Sequence, residues 1–192
     1  MLHNTHILLN EYLGDYTKKV HGRSLVGKVS LSQKSIATSL KKLEKEGLLK
    51  SEKKGNIKLF GLNLTNPEIK DVLITAEINR KIEFLKGHRK FANIFNNDPR
   101  VIGIFGSYAK GTQTKDSDID LFIIGERAKE DYDKKGKILD LKISIKYFSE
   151  DIFSNLAKGK DPLIREIIEK HVLIFGIEKF ITIIWGDYYG FN

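Results

Sequence analysis

The sequence contains no cysteine, only three prolines and no long apolar run. Without cysteine, the chain cannot form a disulfide, a thiolate zinc site or a cysteine nucleophile. Its longest apolar stretches, such as residues 180–185, are about six residues long, whereas a membrane-spanning helix needs about 20. The first 13 residues lack the small-residue cleavage site of a secretory signal. We therefore expect a cytoplasmic protein with no membrane partner.

The positive charge is concentrated at one end of the chain. The formal net charge is +8, a balance that is typical of proteins with a polyanionic partner, most often nucleic acid. Residues 1–65 carry 12 Lys/Arg against 5 Asp/Glu, whereas residues 99–192 carry 15 of each. A lysine-rich surface without a partner would be spread over the whole chain. We therefore expect the polyanion to bind the N-terminal third.

A helix start separates that third from the rest of the sequence. Asn66 followed by Pro67 is typical of an N-cap residue and a first helical position. Apolar residues then recur at helical spacing until the Asn-Asn-Asp-Pro stretch at 96–99, which is expected to end the helix. The sequence thus predicts an N-terminal domain over 1–65, a connector helix over 66–97 and a C-terminal domain over 98–192.

The N-terminal third is predicted to contain three helices followed by two short strands. The longest helix places Ile36, Leu40 and Leu43 on one apolar face, and Gly47 ends it. The predicted elements are helices at about 6–12, 24–29 and 32–45, and strands at about 48–50 and 57–60.

This order of elements resembles a winged helix-turn-helix domain over about residues 4–62. The run LKKLEKEGLL at 40–49 and the basic turn Lys-Lys-Gly-Asn at 53–56 carry the resemblance. In such a domain the longest helix enters the major groove of double-stranded DNA and the wing contacts phosphates. Protein contacts or homodimerisation are the alternative use of the fold. The predicted DNA-binding residues are Gln33, Lys34, Ser35, Thr38 and Lys42 on the helix and Lys53 and Lys54 on the wing.

The C-terminal part contains two carboxylates on the same side of a predicted strand. An apolar strand at 101–105 leads into Gly106 and Ser107, and a second strand follows with Asp118 and Asp120. Alternate residues of a strand point the same way, so the two carboxylates repel each other unless a cation lies between them. Hard oxygen ligands at this spacing suit Mg²⁺. The turn at Gly106 and Ser107 presents backbone N–H groups and a hydroxyl to phosphate oxygens.

The whole stretch, GSYAKGTQTKDSDIDLFII, is similar to the motif of the nucleotidyltransferase superfamily that includes DNA polymerase β, and in detail to the minimal nucleotidyltransferases of bacteria and archaea. The resemblance covers about residues 98–180. It implies a nucleoside triphosphate (NTP) substrate and Mg²⁺ or Mn²⁺ as cofactor. It also implies that Asp118 and Asp120 hold the metal and act in catalysis, and that Gly106, Ser107 and Lys110 bind the nucleotide.

The third carboxylate of that superfamily is the point where this sequence departs from the pattern. The family places it on a later strand, which here covers about 138–148, and Asp140 is the only acid on that strand. Counted back from the following helix, the family position falls nearer Ser144. Either Asp140 is the third catalytic carboxylate or none is present. Lys142 and Lys146 on the same face favour phosphate binding over metal binding.

The sequence therefore predicts an α+β or α/β protein of two domains, an N-terminal winged helix and a C-terminal nucleotidyltransferase fold with a small mixed sheet flanked by helices. The expected activity is metal-dependent transfer of a nucleoside monophosphate from NTP to an unknown protein or nucleic-acid acceptor, coupled to DNA binding. One alternative is a DNA-binding regulator with a degenerate or nucleotide-sensing second domain. The other is an antitoxin-like partner of a helical toxin.

Overall fold

The computed structural model of the chain describes residues 2–95, 97–127 and 132–191. It divides into two compact units, Met1–Ala76 and Glu77–Asn192, and each unit has its own sheet. Over the described residues, every helix is too short or too polar to cross a bilayer.

The N-terminal unit consists of helices and a three-stranded antiparallel sheet in the order β1-β3-β2. Strands β2 and β3 form a hairpin that follows the longest helix of this unit. The short helix expected at 24–29 is instead a 3₁₀ turn that ends before Gly27, whose φ of 80° is incompatible with a continuing helix. The elements are α1 (Leu2–Leu9), β1 (Lys19–His21), the 3₁₀ turn (Gly22–Leu25), α2 (Gln33–Lys45), β2 (Leu49–Lys54) and β3 (Ile57–Leu62).

Helix α2 is held by its cap and by its apolar face. The Ser32 hydroxyl accepts a hydrogen bond from the Ser35 N–H, which satisfies one free donor of the first turn. Ile36, Leu40 and Leu43 are buried, as their spacing predicts.

Helix α3 (Ile69–Gly87) contains the boundary between the two units. Asn66 accepts a hydrogen bond from the Glu68 N–H, which is consistent with the predicted helix start. The helix does not continue into the 90s as expected, because His88 adopts φ −130° and ψ 58°. A separate turn of helix, α4 (Arg89–Ala92), follows.

The C-terminal unit is built on a four-stranded mixed sheet in the order β6-β5-β4-β7, which confirms the predicted small mixed sheet flanked by helices. Strands β5 and β6 are parallel, and the other two pairs are antiparallel. The elements are β4 (Val101–Phe105), α5 (Gly106–Lys110), β5 (Ile119–Ile124), α6 (Tyr132–Ile138), β6 (Ile143–Phe148), α7 (Glu150–Lys158), α8 (Pro162–Glu169), β7 (Val172–Phe175), α9 (Ile177–Ile183) and a π-helical turn (Ile184–Tyr188).

The two faces of β5 are covered by different groups of side chains. Ile119, Leu121 and Ile123 belong to an aliphatic core on one face. On the other face Phe122 packs against Phe180 of α9, with a ring-centroid distance of 5.6 Å. Asp120 has the same side-chain direction as Phe122 but lies nearer the start of the strand, so it borders this aromatic core while remaining partly exposed.

Candidate active site

The candidate site begins where β4 ends and the chain turns into α5. Phe105, the last residue of β4, pairs with Asp120 of β5, so the next residue, Gly106, lies beside the Asp120 carboxylate. Gly106 has a φ of 68°, and a Cβ atom at this position would overlap that carboxylate. Glycine is therefore required both by the backbone conformation and by the close approach of the two segments.

The carboxylate of Asp120 lies near charged groups of both signs. Burial and the negative charges of Asp118 and Glu166 raise its pKa above the ordinary range, and the positive charges of Lys146 and Lys110 only partly oppose this. Asp118 precedes β5 and is exposed. A divalent cation between the two aspartates would relieve their repulsion, and carboxylate oxygens are the ligands that Mg²⁺ prefers. The two residues therefore fit such an ion.

A third carboxylate does not join this pair on the sheet. In the parallel register Asp120 lies opposite Ser144, the residue near which the resemblance predicted the third acid. Within the described ranges, no three His, Asp or Glu residues are grouped so that they could hold a metal ion. Of the three predicted carboxylates, the sheet brings together only Asp118 and Asp120.

Asp140, the predicted candidate for the third carboxylate, lies before β6 rather than on it. The strand begins at Ile143 instead of residue 138, because helix α6 extends through Ile138 and a turn follows. The Gly136 carbonyl closes that turn by accepting hydrogen bonds from the N–H groups of Leu139 and Leu141, both at 2.9 Å. Asp140 is exposed at the turn, with a φ of 55°.

The remaining predicted nucleotide-binding residues lie on α5. Ser107 is the second residue of this helix and is half-buried. Lys110 ends the helix, and its Nζ lies 2.7 Å from Oε1 of Glu166 on α8. A phosphate that bound Lys110 would therefore compete with a carboxylate already in place.

Glu166 belongs to the candidate site by its contacts, although no sequence pattern indicates it. It touches Lys110, and its charge acts on Asp120, yet it lies 56 residues beyond Lys110 in the chain. A glutamate on an amphipathic helix is an ordinary surface residue, so its sequence context carries no signal of this role. Only the packing of α8 near α5 reveals it.

The predicted DNA-binding residues lie on α2 and the β2–β3 hairpin. The Ser35 hydroxyl lies 3.0 Å from that of Ser32 and takes part in the helix cap. Lys42 pairs with Glu46 at 3.6 Å. The exposed members of the predicted set are Gln33, Lys34 and Thr38 on α2 and Lys53 and Lys54 at the end of β2.

The comparison with protein families agrees with the motif. The family described as Polymerase beta, Nucleotidyltransferase matches residues 89–179, a little under half of the chain. Among curated proteins none matches the chain, and among solved structures none matches it either. The matched segment includes β4, α5 and β5, with Gly106, Asp118 and Asp120. This part of the chain is therefore similar to the nucleotidyltransferases of the polymerase beta family.

Proposed function

We propose that this protein transfers a nucleoside monophosphate from an NTP to an acceptor hydroxyl, with Mg²⁺ or Mn²⁺ as cofactor. The acceptor oxygen bonds to the α-phosphorus as the bond to pyrophosphate breaks, and the hydroxyl proton passes to solvent. The observation that carries the proposal is the placement of the Asp120 carboxylate against Gly106, within the segment that matches the nucleotidyltransferase family. In this proposal the metal ligands and the phosphate-binding turn share one edge of the sheet.

Each residue of the site has a defined role in this proposal. Asp118 and Asp120 would hold the cation, which when bound supplies neutralisation of the triphosphate charge. The Ser107 hydroxyl donates a hydrogen bond to a phosphate oxygen, and Gly106 lets the phosphate approach the backbone closely. Lys110 gives up its hydrogen bond to the Glu166 carboxylate and donates to a phosphate oxygen instead. A hydrogen bond from an ammonium group to a phosphate joins two charged groups, and such bonds are stronger than neutral hydrogen bonds.

The test is a labelling reaction with α-labelled NTPs, Mg²⁺ and extract of the protein's own cells as acceptor. The Asp118→Asn/Asp120→Asn variant should lose at least roughly a hundredfold in transfer rate. Asp116→Asn is the matched control, since Asp116 is exposed and precedes the pair by two residues. It should label as the wild type does. Equal labelling by all three proteins would contradict the proposal.

A second candidate is a regulator whose C-terminal unit binds a nucleotide without transferring it. The position of Ser144 opposite Asp120 favours this function, because a neutral hydroxyl is a much weaker base than a carboxylate and brings no negative charge to a bound cation. Calorimetric titration with a non-hydrolysable NTP analogue and Mg²⁺ separates the two functions. Binding without any labelling of acceptors would support the regulator and contradict the transferase.

We propose further that the N-terminal unit binds double-stranded DNA as a winged helix. The proposal is supported by the excess positive charge of residues 1–65 and by the exposed Gln33, Lys34 and Thr38 on α2. Lys53 and Lys54 stand on the hairpin that follows this helix. Such lysines bind phosphates and make the affinity sensitive to salt.

The DNA proposal is tested by removing the charge of the hairpin. Lys53→Ala/Lys54→Ala should weaken duplex binding and lower the slope of log affinity against log salt by about 0.9 for each phosphate that the two lysines neutralise. Lys134→Ala/Lys137→Ala removes the same charge from exposed positions of α6 in the other unit and should leave the slope unchanged. Identical slopes for the two variants would exclude a role of the hairpin.

A further inference from the structure

A cavity of about 260 Å³ opens beside α2 in the N-terminal unit, between this helix, β3 and the 3₁₀ turn. Its floor includes the side chains of Ile36, Leu40 and Phe60, all of which are buried. Of the residues that line it, only Gln33 belongs to the DNA-binding set proposed above. An apolar floor that opens to solvent is the usual character of a small-molecule site.

Two small residues leave the space open. A Cβ atom at Gly22 would lie 3.2 Å from Cδ1 of Leu40, so even a methyl group there would crowd the floor. Ala37 lines the cavity on the exposed side of α2 and contributes only a methyl group. A longer side chain at either position would occupy the volume of a ligand.

The rim of the cavity carries charge of one sign. Arg23, Lys41 and Lys58 line it, and among the lining residues that the structure describes there is no Asp or Glu. Lys58 is held by Glu44 at 2.7 Å and lies over the Phe60 ring. Arg23 and Lys41 are exposed and form no ion pair with any described residue. The rim therefore attracts an anion, and a guanidinium is suited to a carboxylate.

We propose that this cavity binds a small carboxylate with an apolar body, such as a single ring or a short branched chain. The volume lies just below the usual range of ligand pockets, which begins at about 300 Å³, so the cavity matches a ligand smaller than a nucleotide. The apolar body occupies the floor, and the carboxylate meets Arg23 and Lys41 at the rim. The proposal stands independently of any nucleotidyl transfer by the C-terminal unit.

The test uses benzoate as the probe and the methyl NMR signals of Ile36 and Leu40 in the full chain. Benzoate should shift both signals in a saturable way, and neutral benzamide should bind at least roughly fivefold more weakly. Ala37→Leu should weaken benzoate binding at least about tenfold because it fills the cavity. Thr38→Leu is the matched control, since Thr38 is the next exposed residue of α2 and does not line the cavity.

A second pair of variants tests the charge of the rim. Lys41→Ala should weaken benzoate binding about threefold or more, whereas Lys34→Ala, on the same helix outside the cavity, should leave it unchanged. Absence of a saturable shift up to about 10 mM benzoate would overturn the proposal. The proposal would also be overturned if Ala37→Leu bound benzoate as tightly as the wild type does. Inorganic phosphate that shifted the Ile36 and Leu40 methyl signals in the same way would overturn it as well. A response to duplex DNA but not to benzoate would overturn it too and would assign the groove to nucleic acid.

Discussion

Asp120 on β5 lies directly opposite Ser144 on the parallel strand β6. Both residues are partly exposed, and both neighbouring positions on β6, Ile143 and Ile145, pair with core residues of β5. Residues opposite each other on neighbouring strands share one face of the sheet. Position 144 is therefore the place on β6 where a carboxylate would lie beside Asp120, whereas Lys146 on the same face already contributes positive charge.

Replacing Ser144 by aspartate should complete the carboxylate set. Ser144→Asp adds a hard oxygen ligand and a base next to Asp120, so we expect Mn²⁺ affinity and the rate of transfer from NTP each to rise about tenfold or more. The measurements are calorimetric titration of Mn²⁺ and the labelling reaction. Ser144→Asn has nearly the same size without the charge and should give neither gain. Equal behaviour of the two variants would show that position 144 does not reach the metal.

Gly106→Ala should disturb the candidate site more than Gly111→Ala does. Gly106 begins α5, and Gly111 is the residue that follows this helix. Gly106 and Gly111 have φ values of 68° and 70°, so alanine is strained at both, at a cost of about 1 kcal/mol or more. Only at Gly106 does the new methyl group meet Asp120, whereas at Gly111 it meets nothing within 4 Å. Chemical denaturation should show the larger loss of stability for Gly106→Ala. Metal binding should be abolished in this variant and kept in Gly111→Ala.

Asp120→Asn should stabilise the fold while it removes metal binding. The raised pKa of Asp120 means that its ionised form is disfavoured in the folded state, so stability falls as pH rises through the folded pKa. At neutral pH we expect the variant to raise the Tm by about 1–3 °C. The advantage should shrink as the pH falls through the folded pKa and vanish well below about 3.9, where the aspartate is protonated in both states.

The matched control for this prediction is Asp116→Asn, an exposed position outside the pair. Its Tm should stay within about 1 °C of the wild type across the same pH range. Addition of Mg²⁺ should raise the Tm of the wild type and of Asp116→Asn but not that of Asp120→Asn. A lower Tm for Asp120→Asn at neutral pH would contradict the electrostatic account.

The buried pair of Glu77 and His171 should stabilise the C-terminal unit in a pH-dependent way. His171 Nε2 lies 3.1 Å from Oε1 of Glu77, and both side chains are 1% exposed. Burial opposes ionisation of Glu77, but the charges of Arg80 and His171 and the hydrogen bond from His171 outweigh it and lower its pKa. Glu77→Gln should therefore cost about 1–3 kcal/mol of the free energy of unfolding at neutral pH.

The pH dependence of this loss follows from the direction of the pKa shift. A lowered carboxyl pKa stabilises the fold above the unfolded value of about 4.3, and this contribution disappears as the pH falls through the folded pKa. The difference between the wild type and Glu77→Gln should narrow in that acidic range when urea denaturation is followed. Glu83→Gln, at an exposed position of the same helix, should change stability by less than about 0.5 kcal/mol at every pH. If the difference in free energy of unfolding between the wild type and Glu77→Gln increased at acidic pH, the lowered pKa of Glu77 would be contradicted.

Local patterns predicted the elements that carry most of the candidate site. Strand β4 occupies residues 101–105 as its apolar run indicates, and Asp120 lies on β5 as expected, whereas Asp118 precedes that strand instead of lying on it. These features depend on side chains within a few residues of one another, so the sequence alone is enough to predict them.

Local sequence patterns could not predict the residue at which β6 begins. Apolar and polar residues alternate from 139 to 147, and alternation alone predicts a strand over all of this run. The ladder with β5 begins only at Ile143, because its partner Ile119 is the first residue of β5. The length of the neighbouring strand, which is a tertiary property, therefore decides where Asp140 lies.

By itself the sequence determined the Gly-Ser turn, the pair of aspartates and the position of the excess positive charge, because each is a matter of residue type and short spacing. The tertiary structure alone decided that Ser144 lies opposite Asp120 and that Glu166 holds Lys110. Both relationships join segments that are far apart in the chain. Strand register and helix packing create them, and no local pattern encodes either one.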